Sequence, residues 1–246
     1  MKAWTTFEGS TILRLLSGRC NVFAVVAGGG FLLVDTGKAS RRAALYRGID
    51  GLLRAGNRFA ALLLTHAHFD HAGNAAAVAE RYHVPVYSAG NEIDFLALGM
   101  NPPIRGVMGL AQLVNRIPPE RAARLLRYPP VSGAKALIPG AMASLGFPGV
   151  SALPTPGHTA GSFSFIVDNQ FALVGDAMHG VFPGNARPPF AQDEAGLLIG
   201  WRKLLESGCG LFFPAHGLPR KRDLVLKQYG TLTGQLPAFA NSGKTI

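Results

Sequence analysis

A dense group of metal-binding side-chain types marks the first half of this chain. The stretch 65–73 reads THAHFDHAG, so His66, His68, Asp70 and His71 follow one another closely. Residues two apart in extended backbone point to the same side, so His66 and His68 can hold one cation. Asp70 and His71 follow where the chain turns into a helix, and they can hold a second cation beside the first. Imidazole and carboxylate ligands suit zinc first, with iron, manganese or cobalt as substitutes.

Three later positions could complete such a site. The chain contains PGHT around His158, GDA around Asp176 and PAHG around His216, each beside glycine and an apolar strand pattern. Taken singly these signals are weak, because a lone histidine in a loop is usually a surface or hydrogen-bonded residue. A lone aspartate after a strand usually forms a turn or a helix cap. Their order after the first motif makes all three strong candidates.

The ordered set of motifs resembles the metallo-β-lactamase-fold hydrolases over about residues 21–218, and VDTG at 34–37 is similar to the family's Asp-x-Gly turn. The resemblance implies an α/β fold of the αββα type, in which two mixed β-sheets pack face to face between helices. It also implies two adjacent metal sites that share a bridging carboxylate. The first site would use His66, His68 and His158, the second would use Asp70, His71 and His216, and Asp176 would bridge them.

A pair of divalent ions indicates a hydrolytic mechanism. Ions about 3.5–4 Å apart can share a hydroxide whose pKa falls towards about 7, and this hydroxide can attack a carbonyl or phosphorus centre. His179 stands three residues after Asp176, where similar lactonases carry a tyrosine. It could bind the substrate oxygen or donate a proton, although a surface position is an equal alternative. With the ligand Asp70, His179 is the candidate catalytic residue.

Departures from related enzymes favour a small carbonyl ester, lactone or thioester as the substrate. Metallo-β-lactamases generally lack the bridging carboxylate that Asp176 would supply. Glyoxalase II enzymes carry a long C-terminal helical region, whereas 30 residues follow His216 here. A phosphodiesterase or ribonuclease and a β-lactamase-like amide hydrolase remain alternatives. A binding or regulatory protein that retains the fold is the alternative from another class, but such proteins usually lose ligands.

Composition is compatible with this interpretation and adds several expectations. The chain has 246 residues and a net charge of +10, but its basic residues are dispersed, so we expect a small-molecule substrate rather than nucleic acid. No stretch is apolar enough for a membrane span or a signal peptide, which predicts a cytoplasmic protein. Cys20 and Cys209 are expected to be free thiols. The sequence leaves open whether the protein forms a homodimer.

Apolar patterns predict the elements that position these residues, within one domain spanning 1–246. Strands are expected at 11–16, 21–27, 31–34, 60–64, 84–87, 162–167 and 170–174, with small strands within 135–153 and a last strand before His216. Helices are expected at 41–55, 75–82, 193–206 and 222–229.

The segment 90–130 interrupts this regularity, because it contains three Pro-Pro pairs and apolar residues at helical spacing. A short helix at 120–127 would place Arg121, Arg124 and Arg127 on one face. We favour a surface insertion whose apolar side packs on the sandwich. A lid, a pocket wall or a dimer contact stays open, and residues 181–190 are a second candidate wall.

Overall fold

The computed structural model describes residues 2–18, 20–118, 121–122 and 126–234. Within that part of the chain, two mixed β-sheets are present, and the first has seven strands in sequence order. These strands are β1 (Lys2–Thr5), β2 (Thr11–Leu16), β3 (Val22–Ala27), β4 (Gly30–Val34), β5 (Arg58–Leu63), β6 (Val86–Ser88) and β7 (Lys135–Ala136). Strands β1 to β4 pair antiparallel, and β4 to β7 pair parallel.

The second sheet has five strands in the order β12-β11-β10-β9-β8. They are β8 (Val150–Pro154), β9 (Phe163–Val167), β10 (Phe171–Gly175), β11 (Leu211–Pro214) and β12 (Arg220–Lys221). The pair β10–β11 is parallel and the others are antiparallel. The α-helices span Arg42–Arg54, Phe69–Ala72, Ala75–Tyr82, Ile93–Leu98, Ala141–Ser144, Glu194–Glu206 and Arg222–Thr233. Short 3₁₀ helices span Ala39–Arg41, Gly90–Glu92 and Gly109–Arg116.

Three apolar layers hold these elements together. The central layer lies between the sheets, where Phe23 and Leu63 of the first sheet pack with Phe165 and Phe213 of the second. An outer layer joins the first sheet to the helices Arg42–Arg54 and Ala75–Tyr82. The other outer layer joins the second sheet to the helix Glu194–Glu206, whose Trp201 is fully buried. This arrangement confirms the αββα sandwich.

The sequence predictions of individual elements agree closely with the structure in the apolar strands and the longer helices. Strands β1 and β12 were not predicted, because β1 is largely exposed and β12 has only two residues, so neither carries an apolar pattern. Half of the predicted helix at 120–127, including Arg124, lies outside the described residues. Cys20 and Cys209 are buried free thiols, as expected. No helix in the described ranges is long and apolar enough to cross a bilayer.

The parallel strands bring the motifs to one edge of the sandwich. Strand β5 leads into the 65–73 motif, β10 ends just before Asp176, and β11 ends two residues before His216. Strand β4 ends just before Asp35 in the first sheet. Because β4 runs parallel to β5 and β10 runs parallel to β11, their carboxyl ends meet at the same edge, where sites of α/β proteins are built.

Candidate metal centre

The first group of ligand atoms contains three ring nitrogens. Nδ1 of His68 lies 3.0 Å from Nε2 of His66 and 3.0 Å from Nε2 of His158. All three side chains are buried. Tetrahedral zinc with Zn–N bonds of 2.0–2.1 Å would separate its nitrogen ligands by about 3.3 Å. The three nitrogens therefore lie where one cation could bind all of them.

The second group contains Asp70, His71 and His216, whose candidate ligand atoms also lie close together. Nε2 of His216 is 3.6 Å from Oδ2 of Asp70, and Nε2 of His71 is 4.0 Å from Oδ1 of Asp70. Asp176 lies between the two groups. Its Oδ2 is 3.6 Å from His158 and 3.4 Å from His216, and its Oδ1 is 3.5 Å from His71. A carboxylate in this position can reach a cation in either group.

The hydrogen bonding within this cluster is incomplete without cations. Nε2 of His71 and Oδ1 of Asp176 are buried and have no hydrogen-bond partner among the described residues. An unsatisfied buried polar atom costs about 1–3 kcal/mol. Divalent cations would satisfy both atoms, and the donor set of imidazoles and carboxylates suits zinc or iron. The residues at this edge therefore fit a pair of divalent ions.

The ionisation states favour metal binding. Burial, together with the neighbouring histidines, lowers the pKa of His66 and His68 well below the ordinary value, so their ring lone pairs are available at neutral pH. Burial would raise the pKa of Asp176, but the cationic fields of His216 and His71 outweigh it and hold that pKa well below its usual range. Asp176 is therefore an ionised carboxylate.

Asp35 orients the ring of His71. Its Oδ2 is 2.9 Å from Nδ1 of His71, and its Oδ1 accepts the backbone N–H of Thr65 at 2.9 Å. Burial opposes protonation of His71, but the fields of Cys20, Asp35 and Asp176 raise its pKa well above the ordinary value. A cation at Nε2 would replace that proton while Nδ1–H continues to donate to Asp35, an arrangement that also raises ligand basicity. Asp35 has φ of +62°, a left-handed conformation that aspartate tolerates better than most residues. The sequence identified this turn but not its contact with His71.

His158 is oriented by the candidate wall at 181–190. Its Nδ1 donates a hydrogen bond of 3.0 Å to the backbone carbonyl of Phe190, which leaves Nε2 free to face His68. The pKa of His158 is lowered, chiefly by burial. The loop after Asp176 therefore helps to set the ring that the first cation would use.

His179 lies beside the second group of ligands and faces the adjoining cavity. Its ring centroid is 5.2 Å from that of His216, and its buried Nδ1 has no hydrogen-bond partner among the described residues. Burial is the main cause that lowers the pKa of His179 to about 4. The imidazole is therefore neutral at pH 7 and can donate one ring N–H to a substrate oxygen.

An apolar cavity of about 840 Å³ opens onto the ligand cluster, and His68, Asp70, His158, Asp176 and His216 form part of its lining. Two segments supply the apolar walls: Ile104, Met108, Leu110, Ala111, Val114 and Leu126 from 90–130, and Val181, Phe182, Pro188, Pro189 and Phe190 from 181–190. Leu96 and Tyr128 of the same segment pack on the core of the sandwich, as the favoured interpretation of 90–130 expects, whereas the wall residues of the segment line the cavity. They border the cavity because the segment crosses the site edge, which corresponds to the pocket-wall alternative.

Sequence reasoning missed one further buried residue at this edge. Glu92 lies beneath the 65–73 motif and accepts the backbone N–H of Ala67 at 2.6 Å. It also accepts a short hydrogen bond from the hydroxyl of Thr159. Its partners are 25 and 67 residues away along the chain, so no local pattern could have identified it.

Comparison with known proteins shows the family. The family model of the metallo-β-lactamase superfamily matches residues 17–216. A hydroxyacylglutathione hydrolase of Acidiphilium cryptum (strain JF-5) is 30% identical over 172 residues, which make up 70% of this chain and 54% of that protein. A probable metallo-hydrolase, YqgX, of Bacillus subtilis (strain 168) is 32% identical over 122 residues, or 48% of this chain and 49% of that protein. The chain spans about half the length of these curated relatives.

Solved structures agree at the level of the fold. The metallo-β-lactamase SMB-1, bound to 2-mercaptoethanesulfonate, superposes with a TM-score of 0.62 and 18% identity, covering 88% of this chain and 80% of its own. The protein TTHA1623, in a di-iron-bound form, has a TM-score of 0.59 and 25% identity, and the match covers 87% of this chain and 95% of TTHA1623. The chain belongs to the metallo-β-lactamase superfamily. Two of its curated relatives are described as a probable metallo-hydrolase and a hydroxyacylglutathione hydrolase, and the His/Asp cluster described above has the donor atoms that divalent metal ions require.

Proposed function

We propose that this hydrolase binds two divalent metal ions and cleaves small carbonyl esters, lactones or thioesters that carry an apolar acyl group. One observation carries the proposal: the converging His/Asp cluster lies at the floor of a cavity whose walls are almost entirely apolar. Apolar pockets with a few convergent polar groups are typical binding sites for small substrates. The similarity to a hydroxyacylglutathione hydrolase supports a carbonyl substrate such as a thioester.

The charges around the cavity favour an uncharged acyl group. Among the described lining residues, Arg187 supplies the one guanidinium, and Glu194 already forms an ion pair with it. A phosphodiester backbone would need cationic contacts beyond the metal centre, because phosphate contacts dominate nucleic-acid affinity. The cavity offers hydrophobic contact in their place. A small apolar ester or lactone is therefore a better match than a nucleic acid.

The roles of the residues follow from their geometry. Bound at the cluster, the two ions would supply a nucleophilic hydroxide at neutral pH and polarise the substrate carbonyl. His66, His68 and His158 would hold one ion, Asp70, His71 and His216 would hold the other, and Asp176 would contact both. Neutral His179 projects towards the same space, where it would donate a hydrogen bond to the carbonyl or leaving-group oxygen. The two apolar walls would hold the acyl group against the cluster and exclude water.

A substrate panel tests the proposal. The protein, reconstituted with zinc, iron or manganese, is assayed with p-nitrophenyl esters, γ-lactones, S-lactoylglutathione, bis-p-nitrophenyl phosphate and nitrocefin. We expect the highest kcat/KM with an ester, lactone or thioester whose acyl group is uncharged. Activity restricted to the phosphodiester or to nitrocefin would show that the proposal is wrong. The His68→Ala variant, which lacks a central ligand of the first group, provides the baseline for activity that does not depend on the site.

A further inference from the structure

A single buried carboxylate connects the two loops that carry the first group of histidines. Glu92 is only 2% exposed, at the end of the 3₁₀ helix Gly90–Glu92. Its Oε2 accepts the N–H of Ala67, the residue between His66 and His68. Its Oε1 accepts the hydroxyl of Thr159, the residue after His158. The carboxylate thus contacts both loops at positions adjacent to all three histidines.

The surroundings of Glu92 are arranged to hold it in place. Thr159 is fixed by Ser162, whose Oγ accepts the Thr159 N–H at 3.1 Å and lies 2.9 Å from its hydroxyl. Gly161 gives the carboxylate room, because a Cβ there would lie 2.5 Å from Cγ of Glu92. A larger residue at 161 would displace the glutamate. The glycine in the PGHTAG stretch is therefore needed for the passage of this side chain.

An ionised carboxylate is the group that best matches this contact. Both partners of Glu92 donate hydrogen bonds, and an ionised carboxylate can accept from each with a separate oxygen. A glutamine of the same size would place its NH₂ group against either the Ala67 N–H or the Thr159 hydroxyl. Burial raises the pKa of Glu92, and the hydrogen bonds from Thr159 and the backbone oppose that rise. Replacing the carboxylate by a carboxamide therefore either sets the NH₂ group against the Ala67 N–H or makes the Thr159 hydroxyl accept from it and turn its own proton to Ser162, and both charge-assisted contacts are weakened.

The second group of ligands does not depend on these contacts. Its histidine, His71, is held by Asp35, which also accepts the N–H of Thr65. None of the hydrogen bonds described for Glu92 reaches Asp70, His71 or His216. The contacts of Glu92 are therefore made with the loops of the first group, whereas Asp35 holds His71 and is also connected to Nδ1 of His66 through the Thr65 hydroxyl, which lies 3.1 Å from that nitrogen.

We propose that Glu92 is a positioning residue that fixes the spacing between the 66–68 loop and the 158–159 loop, and thereby sets the affinity of the first metal site independently of the second. The inference rests on the two-metal centre of the proposed function, but not on the identity of the substrate. Hydrogen-bonding partners of ligand loops commonly contribute about 10- to 100-fold in metal affinity. The loss caused by Glu92→Gln should be of that size and confined to one of two sites.

Zinc binding by competition with a chromophoric chelator tests this inference. Wild-type protein and the Glu92→Gln, Thr159→Val, Thr159→Ser and Asp35→Asn variants are titrated after removal of metal. We expect Glu92→Gln and Thr159→Val to weaken one site by about 10- to 100-fold. Thr159→Ser keeps the hydroxyl and should stay within about threefold of wild type. To assign the site, Glu92→Gln is repeated in a His216→Ala background, in which the intact three-histidine group binds the remaining ion.

The outcomes separate this inference from the proposed function. Two tight sites in wild type and two unchanged sites in both Glu92→Gln and Thr159→Val would overturn the positioning role and leave the two-metal centre intact. Equal weakening of both sites would also overturn it. Fewer than two sites in wild type would overturn the two-metal centre and the inference together. Near-ultraviolet circular dichroism checks folding, and if Glu92→Gln fails to fold, the Thr159→Val and Thr159→Ser pair decides the question.

Discussion

At the scale of single residues, the ring nitrogens of His158 and His71 that face the cluster are selected by hydrogen bonds on the opposite side of the ring. His158 and His71 both use Nδ1 for an oriented contact, to the carbonyl of Phe190 and to Asp35 respectively. His68 is the exception, because its Nδ1 faces the other two histidines. Such contacts fix tautomer and ring plane before any cation binds. The site is therefore organised by its neighbours as well as by its ligands.

His179 provides the sharpest prediction at this scale. Replacing His179 with phenylalanine removes the ring N–H that would stabilise developing charge on the substrate oxygen, so we expect kcat to fall about 100-fold. His179→Gln keeps an N–H donor and should retain more activity than the phenylalanine variant. Steady-state kinetics on the best ester substrate measures both variants. Metal content, determined in parallel, should equal that of wild type. An unchanged kcat in His179→Phe would exclude a role for this residue in the reaction.

At the scale of elements, apolar sequence patterns predicted the strands that carry the site, because β4, β5, β10 and β11 are buried on both faces. A motif that directly follows such a strand could therefore be placed at the strand end from sequence alone. The walls of the cavity could not be placed in the same way. An apolar helix face looks the same in sequence whether it packs on a core or borders a cavity, so the sequence left both alternatives open for 90–130, and the structure shows Leu96 on the core and Leu110 at the cavity.

The 3₁₀ helix Gly109–Arg116 allows a test of the wall. Leu110 borders the cavity and is 84% exposed, so Leu110→Asp should leave the fold intact. Loss of its contact with a long acyl chain, about 1.5 kcal/mol, should raise KM for p-nitrophenyl octanoate about 10-fold and leave the acetate ester nearly unchanged. Leu113→Asp is the matched control, because Leu113 is 50% exposed on the same turn but does not line the cavity. Equal effects of the two variants on KM would argue against a specific acyl wall.

At the scale of the whole molecule, the sandwich brings ligands from both sheets to one edge. The order of the motifs indicated which residues would meet, but the contacts that support them arise from packing between distant segments. Glu92 contacts residues far along the chain, and Asp35 contacts a histidine 36 residues away. A single sequence contains no pattern for such contacts. They emerge only when the two sheets and the segment 90–130 are assembled.

We expect the same assembly to make the stability of the whole fold against unfolding depend on bound metal. Without cations, Nδ1 of His68 lies 3.0 Å from a ring nitrogen of His66 and of His158, and the buried Nε2 of His71 and Oδ1 of Asp176 are among the atoms of the described residues that lack partners. Two ions, each present at about 30 times its Kd, would together stabilise the fold by about 4 kcal/mol. For a chain of this size, about 2–4 °C in Tm corresponds to each kcal/mol. Complete removal of metal by dipicolinate should therefore lower Tm by about 8–16 °C, measured by circular dichroism or calorimetry.

Two controls accompany the measurement of Tm after chelation: adding zinc back, and repeating the chelation with a ligand variant. Adding zinc back should restore Tm, because binding to the native state alone shifts the unfolding equilibrium. His68→Ala lacks one nitrogen of the first group, so chelation should lower its Tm by less than in wild type. An unchanged Tm after elemental analysis shows complete metal loss would mean that the buried cluster is satisfied without cations. In that case the unpaired atoms of His71 and Asp176 would need another partner, and the whole fold would not be coupled to its metal centre.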